Sequence, residues 1–311
     1  AKWMHPDDVS ELQYDPRDNL FLGAQGNLTS PDGKLIGYVD DRHLMTVAGS
    51  RAGKGTSAII PTLLDYKGSI FVLDPKGENA SITAERRGAG NENIAGMGQT
   101  VAVLDPFGKA DVRNEYRKSF NPLDWLSEND TAIYEAHTIA DGFVLSSSDT
   151  DTHWDESAKS LIQAIILHVK SWKHIADDER HLPHVRLLLM EGDKKAKARI
   201  VKYFETQLDS VIKSIDEAAR NDENSDIEAL EADLDRYQIE LENAKQKSPM
   251  EYLLRDMQKN EAYGGYVSQW ANSFRLIPFK ERGSIESTAK RHTGFLAGSA
   301  LWAAPPKASL R

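Results

Sequence analysis

The sequence predicts an α/β protein: a parallel sheet built from βαβ units, followed by a region that is helical throughout. Three observations carry this. Apolar runs bounded by Gly, Asp or Pro recur at residues 43–48, 69–73 and 100–104, as buried parallel strands require. A helix-length segment, residues 54–66, separates the first two, and strand, helix, strand in that order is a βαβ unit. From Thr131 onward the apolar spacing changes to three and four residues, the period of a helix with one buried face.

Composition bounds the function classes. A chain of 311 residues holds about two domains at roughly 100–200 residues each. Cysteine is absent, which excludes disulfides, thiol catalysis and cysteine-built zinc sites. The longest stretch without Asp, Glu, Lys or Arg, residues 292–306, ends in two prolines and falls short of the about 20 apolar residues of a membrane span. No secretory signal is visible, and the chain as given is expected to be soluble. The net charge of −10 argues against a nucleic-acid partner only until it is located. Residues 205–242 hold thirteen acidic and three basic residues, a surplus equal to the whole net charge, so the rest of the chain is neutral.

Taken in order, residues 1–40 carry turn signals at Gly23, Gly26 and Pro31-Asp32-Gly33, the last reading as a hairpin tip. The helix at 54–66 contains Pro61, which should kink or shorten it. Ala132, Ile133, Ala136, Ile139, Ala140 and Phe143 share one helical face, and after a polar loop so do Leu161, Ile162, Ile165, Ile166 and Val169. Ile200, Phe204, Leu208, Val211, Ile215 and Ala218 advance by fours and threes. Ile227, Leu230, Leu234, Tyr237, Leu241 and Ala244 repeat the pattern beyond a polar turn at 221–225. The two segments read as an antiparallel helical hairpin.

The sharpest chemical signal is Gly49-Ser50-Arg51-Ala52-Gly53-Lys54-Gly55-Thr56-Ser57, between the run ending at Ala48 and the helix opening near Lys54. That is the context of a P-loop. Glycines let successive N–H groups point at phosphate oxygens, the positive helix end adds attraction, and Lys54 supplies a mobile cation. Two positions depart from G-x-x-x-x-G-K-[ST]: Ala48 stands where Gly is expected, and Gly55 where a hydroxyl is, with Thr56 and Ser57 just beyond. Thr56, with Ser57 beside it, is the candidate hydroxyl for Mg²⁺. A second signal is the run ending in Asp74-Pro75-Lys76-Gly77-Glu78, with Asp74 a candidate for Mg²⁺ through water and Glu78 for polarising water. Asp105-Pro106-Phe107 repeats the device, and in both places Asp-Pro also simply stops a strand and opens a turn.

Other constellations read more plainly. His181 and His184, near Glu179, are separated by Pro183 and have no evident third metal ligand. His153-Trp154-Asp155 reads as a helix-entry packing motif. Tyr263, Tyr266, Trp270 and Phe274 have the spacing of a helix core, with base stacking the less favoured use. The acidic hairpin reads as a solvated surface, or as a dock for a basic partner.

The series of motifs resembles the type IV coupling proteins, the ATPases that feed substrates into conjugation and type IV secretion channels. The matching residues are Ala1-Lys2-Trp3, Arg51-Ala52-Gly53-Lys54-Gly55, Ile60-Pro61-Thr62-Leu63-Leu64 and Leu73-Asp74-Pro75-Lys76-Gly77-Glu78. Asp105-Pro106-Phe107, Asn121-Pro122-Leu123-Asp124, Trp154-Asp155, Ser287-Thr288-Ala289 and Phe295-Leu296 follow in family order. Gly55 is itself common in that family. The resemblance implies a RecA-like nucleotide-binding domain over residues 1–130, an all-α substrate-recognition domain over 131–296, and a return segment at 297–311. It also implies ATP and Mg²⁺ as cofactors and a hexamer on the cytoplasmic face of the inner membrane. The implied partners are relaxase complexes, effector proteins, single-stranded DNA and other secretion components. Catalytic roles would fall to Lys54, Asp74 and Glu78, with Arg51, Arg86 or Arg87 as a cation in trans. The family's membrane helices and its strand ending in Asp-Glu have no counterpart here. The expectation is therefore an excised piece that binds nucleotide weakly and hydrolyses it poorly alone. A nucleotide-regulated adaptor that docks cargo without hydrolysis is the alternative. A P-loop phosphotransferase is a third, for which no acceptor site is evident.

Overall fold

The computed structural model describes residues 5–9, 12–27, 29, 33–40, 43–144, 152–220 and 224–297. Outside these lie the Ala1-Lys2-Trp3 match, Pro31 and Asp32 of the hairpin tip, residues 146–151 of the polar loop read at 146–152, most of the turn at 221–225 and, Ala297 apart, the return segment. Two units are distinguished, one running through Phe120 and the other starting at Asn121.

In the first unit a single helical turn, α1 (Pro6–Val9), precedes β1 (Leu20–Gln25) and β2 (Lys34–Tyr38). These strands pair antiparallel, Leu20 opposite Tyr38 and Gln25 opposite Lys34, as the turn signals between them predict. The helix expected at 54–66 forms in two parts: residues Gly55–Ile59 make a wide π turn, and α2 (Ile60–Asp65) continues from it. Pro61 accounts for the change. It has no N–H to give the residue four positions back, and the preceding turn widens so that Ile60 N–H donates to Gly55 O. Next come α3 (Glu78–Arg87) and a small hairpin of β3 (Gly90–Asn91) with β4 (Ile94–Ala95).

The expected parallel sheet is corrected by the structure. Among the described residues, both sheets are two-stranded and antiparallel, and runs 43–48, 69–73 and 100–104 form no ladder. The parallel pairing seen is a single bridge between Val103 and Arg117. Apolar β-branched sequence supplies propensity, but a strand exists only when a neighbour meets its backbone donors and acceptors. These runs are not hydrogen-bonded to one another, and Met45, Val47, Phe71 and Leu73 stand exposed. The chain is mixed α/β and mostly helical.

The second unit contains α4 (Thr131–Phe143), α5 (Thr152–Ser171), α6 (Leu182–Glu191), α7 (Lys194–Arg220) and α8 (Asn224–Gln246). After these come α9 (Pro249–Met257), α10 (Ala262–Leu276) and α11 (Phe279–His292). Between Leu161 and Val169, α5 carries no Asp, Glu, Lys or Arg on any face, and a helix apolar all round must be enclosed. It is: α4, α6, α10 and α11 pack on it, and Leu161, Ile162, Ile165, Ile166 and Leu167 have no exposed surface. Each such burial contributes roughly 1.5–3 kcal/mol. Gln163 and His168 are the buried polar residues of this stretch; Gln163 Nε2 donates to Ile133 O of α4 at 2.8 Å, and His168 Nδ1 meets Asn260 Nδ2 at 3.2 Å.

The first turn of α5 meets the last turn of α11. Asp155 is buried there, with His292 Nε2 at 3.0 Å and Arg291 Nη2 at 3.6 Å from its Oδ1. An acid at a helix N-terminus and bases at a helix C-terminus each complement the local dipole, so the clasp follows from placement. The Trp154-Asp155 motif is thus a helix-entry packing element. α7 and α8 form the expected hairpin, their apolar positions facing each other. In α10, Tyr263 and Phe274 are buried, and Trp270 stacks on Phe274 at 4.8 Å, so the aromatic series is core.

Candidate functional site

The glycine-rich loop is exposed to solvent and held by its own atoms. Arg51 and Gly53 both adopt left-handed backbone, with φ of 62° and 83°. For Gly53 this is free; for Arg51 it costs roughly 1–2 kcal/mol, strain of the kind that gathers at ligand clamps. A Cβ at Gly49 or Gly55 would meet nothing within 4 Å, so space lies open beside the loop on both sides of Lys54. Lys54 Nζ donates to Ala48 O at 3.0 Å and to Gly49 O at 3.1 Å, folding the cation back over the loop. Thr56 Oγ1 and Ser57 Oγ both donate to Gly53 O, at 3.1 and 2.7 Å. Lys54, Thr56 and Ser57 are thereby gathered onto the loop's own carbonyls at Ala48, Gly49 and Gly53. The first N–H groups of the helix that opens at Lys54 have no intrahelical acceptor.

Asp74 and Glu78 sit elsewhere in the first unit's hydrogen-bond network. Asp74 Oδ2 accepts from Ala80 N at 3.0 Å, tying the Asp74-Pro75-Lys76-Gly77 turn to the first turn of α3, which Glu78 opens. Gly77 N donates to Asp74 O at 3.1 Å, and its φ of 72° completes the turn. Among the described residues neither carboxylate bonds to Lys54, Thr56 or Ser57. Asp105-Pro106-Phe107-Gly108 is a second copy of the device, with Gly108 at φ 62°. The Asp105 carboxylate accepts from Lys109 N at 2.9 Å, Ala110 N at 2.8 Å and Arg117 Nη1 at 2.9 Å. Burial raises its pKa, but the two amides and the guanidinium outweigh burial and hold it below the ordinary carboxylate value. For Asp105 the turn-forming role is the one the geometry supports.

Two of the three arginines considered as trans cations are committed within their own chain. Arg87 donates to Leu63 O and Tyr66 O at 2.9 Å and to Gly68 O at 2.8 Å. Arg86 donates to Leu64 O at 3.1 Å and Ala95 O at 2.6 Å. Together they gather the carbonyls that α2 leaves unbonded at its C-terminus. Arg51 remains exposed at the loop.

His181 is the N-cap of α6, its Nδ1 accepting from His184 N at 3.1 Å, and Glu179 pairs with Lys195. Among the described residues no group of three or more His, Asp or Glu has metal-binding geometry. No described helix is long and apolar enough to cross a membrane.

Comparison with known proteins joins these observations. The family described as Type IV secretory system Conjugative DNA transfer matches residues 2–297. The conjugal transfer protein TraG of Agrobacterium fabrum is 29% identical over 204 residues, covering 64% of this chain and 29% of TraG. The type IV secretion system-coupling protein VirD4 of Bartonella quintana is 30% identical over 198 residues, 60% of this chain and 28% of that protein. Protein VirD4 of Agrobacterium fabrum is 48% identical over 97 residues, 30% of this chain and 14% of its own length. The chain thus aligns with less than a third of the length of each of these relatives. Because the family match spans nearly all of it, including the glycine-rich loop and the helical unit, the chain belongs to the type IV coupling protein family of conjugative DNA transfer.

Proposed function

We propose that this chain is the nucleotide-binding and cargo-receiving part of a coupling ATPase that moves DNA–relaxase complexes or effector proteins into a type IV secretion channel. The observation that carries the proposal is the loop at 49–57: a left-handed Arg51 and Gly53, open space beside Gly49 and Gly55, and a central Lys54. The donor set fits a nucleotide triphosphate with Mg²⁺. Lys54 Nζ already meets two loop carbonyls, and β- and γ-phosphate oxygens are stronger acceptors for the same ammonium. The backbone from Ala52 to Thr56 would donate to those oxygens. The Thr56 or Ser57 hydroxyl, released from Gly53 O, would ligate the metal. Mg²⁺, when bound, offsets the charge on the phosphates. Arg51, exposed beside the loop, is the remaining candidate for a cation offered to a neighbouring subunit in a hexamer. The helical unit would receive relaxase or effector protein at the cytoplasmic face of the inner membrane, with single-stranded DNA and other secretion components as further partners.

The commitment of Asp74 to α3 favours a second reading, a nucleotide-regulated adaptor that docks cargo without hydrolysis. Lys54→Ala in the full-length parent separates the two. Loss of DNA-stimulated ATP hydrolysis and of transfer, with cargo binding retained, supports the motor. Normal transfer by Lys54→Ala overturns it.

A further inference from the structure

The hairpin of α7 and α8 is a rod with opposite charge at its two ends. Its base, residues 194–204 of α7 and 243–247 around the end of α8, holds seven basic residues and no acidic one. Its outer part, 205–242, carries the surplus of ten negative charges. Helix dipoles do not cause this, because antiparallel helices put one positive and one negative terminus at each end of the rod. Acids outside the hairpin offset part of the base. Arg199 faces Asp256 at 3.6 Å, Lys194 faces Glu191 at 2.9 Å, Lys195 pairs with Glu179, and Asp193 caps the Ala196 N–H. Four acids against seven bases leave a surplus of three. Lys202 and Lys247 form no ion pair among the described residues. Lys197 Nζ donates to two carbonyls, Lys245 O and Lys247 O, which leave its charge in place. The 27 residues of α7 span about 40 Å, whereas attraction between exposed charges is largely screened beyond about 8 Å at physiological salt. Within one chain the two ends therefore meet only at their boundary, where Lys245 lies 3.5 Å from Glu205.

The rod is also incompletely covered. Leu208, Val211 and Ile215 of α7 face Leu234, Tyr237 and Leu241 of α8, yet all six are only half-buried. Ile212, four residues after Leu208 and three before Ile215, widens the α7 stripe and is 46% exposed. A two-helix seam needs only a narrow stripe, and a wider one is the pattern of a helix with a further neighbour. Lys202, Ile212 and Asp216 share one face of α7, at helical spacings of ten and four residues. We propose that this rod pairs with the same rod of a second copy of the chain, antiparallel, the base of each lying along the outer part of the other. Such a patch is self-complementary, as a twofold interface requires. Pairing centred between Leu208 and Ile212 sets Ile212 of each copy over Leu208 of the other. It also brings Lys202 of each beside Asp216 and Glu217 of the other, and Lys213 beside Asp209. Parallel pairing would set acid on acid and base on base. The basic surface that suits the acidic segment is thus present in the chain itself, and the pairing makes no demand on nucleotide or cargo binding.

Sedimentation velocity tests this, on the chain carrying Phe71→Lys so that the exposed 69–73 run offers no rival contact. The expected result is a dimer fraction that rises over about 10 μM to 1 mM and falls as salt is raised from about 50 to about 500 mM. Reversing the base with Lys202→Glu and Lys247→Glu should weaken dimerisation about tenfold, and so should reversing the outer part with Asp216→Lys and Glu217→Lys. An equal mixture of the two reversed chains should recover the original dimerisation to within about threefold, because each base then meets an outer part of opposite sign. A loss caused by misfolding is not recovered by mixing. Ile212→Asp, with helix content unchanged by circular dichroism, should weaken dimerisation about tenfold as well. A monomer at every concentration would overturn the proposal and leave the rod to a basic surface of a different protein. A dimer indifferent to these substitutions would overturn it too, as would a mixture that stays as monomeric as its components.

Discussion

Gly77 and Ala110 meet backbone to backbone: a Cβ on Gly77 would lie 2.6 Å from Ala110 N. The two Asp-Pro-x-Gly turns are thus docked on each other, each with its aspartate bonded to the chain that follows it. Gly77→Ala has to pay for both a left-handed φ and a steric clash, and should destabilise the first unit by about 3 kcal/mol. Gly108→Ala, at φ 62° with nothing within 4 Å, should lose only about 1 kcal/mol. Urea unfolding followed by a probe in the first unit checks the pair, and equal losses would show that the docking contributes nothing.

Asp155 is buried with His292 and Arg291 as partners, so removing one leaves a carboxylate short of compensation. His292→Ala should lower stability by about 2 kcal/mol, whereas Arg291→Ala, at the longer distance and more exposed, should cost under about 1 kcal/mol. Thermal melts of the two variants measure the order.

Acid should weaken the helical unit through His168. This ring is fully buried, and burial, with a smaller contribution from His184, pulls its pKa from 6.5 down to about 3. The folded value lies below the unfolded one. The stability it contributes is therefore present above pH 6.5 and is lost as pH falls toward 3, at about 1.4 kcal/mol per pH unit. His181 and His184 are shifted the same way by burial and add with the same sign. Between pH 7 and pH 5 the His168 contribution falls by about 2 kcal/mol. Urea midpoints of wild type and His168→Gln across that interval should converge toward acid.

Arg87 spans three carbonyls at the end of α2, which a lysine cannot do with the same fixed fork. Arg87→Lys should destabilise the first unit by about 1–2 kcal/mol and speed hydrogen exchange at residues 63–68. Exchange unchanged there would mean that α2 ends stably without it.

Helices were legible because their burial is periodic: the faces read at 132–143, 161–169 and 200–244 are those of α4, α5 and the α7–α8 hairpin. The wide turn before Pro61 was legible in kind, since a missing N–H must be absorbed nearby. The strands expected at 43–48, 69–73 and 100–104 did not form ladders, because a strand is a property of two segments and apolar content describes only one. The glycine-rich loop could be read from spacing alone. That Asp74 serves the α3 amides, and that Arg86 and Arg87 serve α2, depended on which backbone groups came within reach after folding, and no motif encodes that.

The open run 69–73, Ser-Ile-Phe-Val-Leu, has consequences for the chain as a material. It is uncharged, free of proline, rich in β-formers, and Phe71 and Leu73 lie 93% and 84% exposed. A strand-prone segment that pairs with no strand among the described residues is a template for another such segment, including its own copy on another molecule. At high concentration the polypeptide should self-associate through this segment, bind hydrophobic dyes strongly, and become better behaved when Phe71 is replaced by lysine.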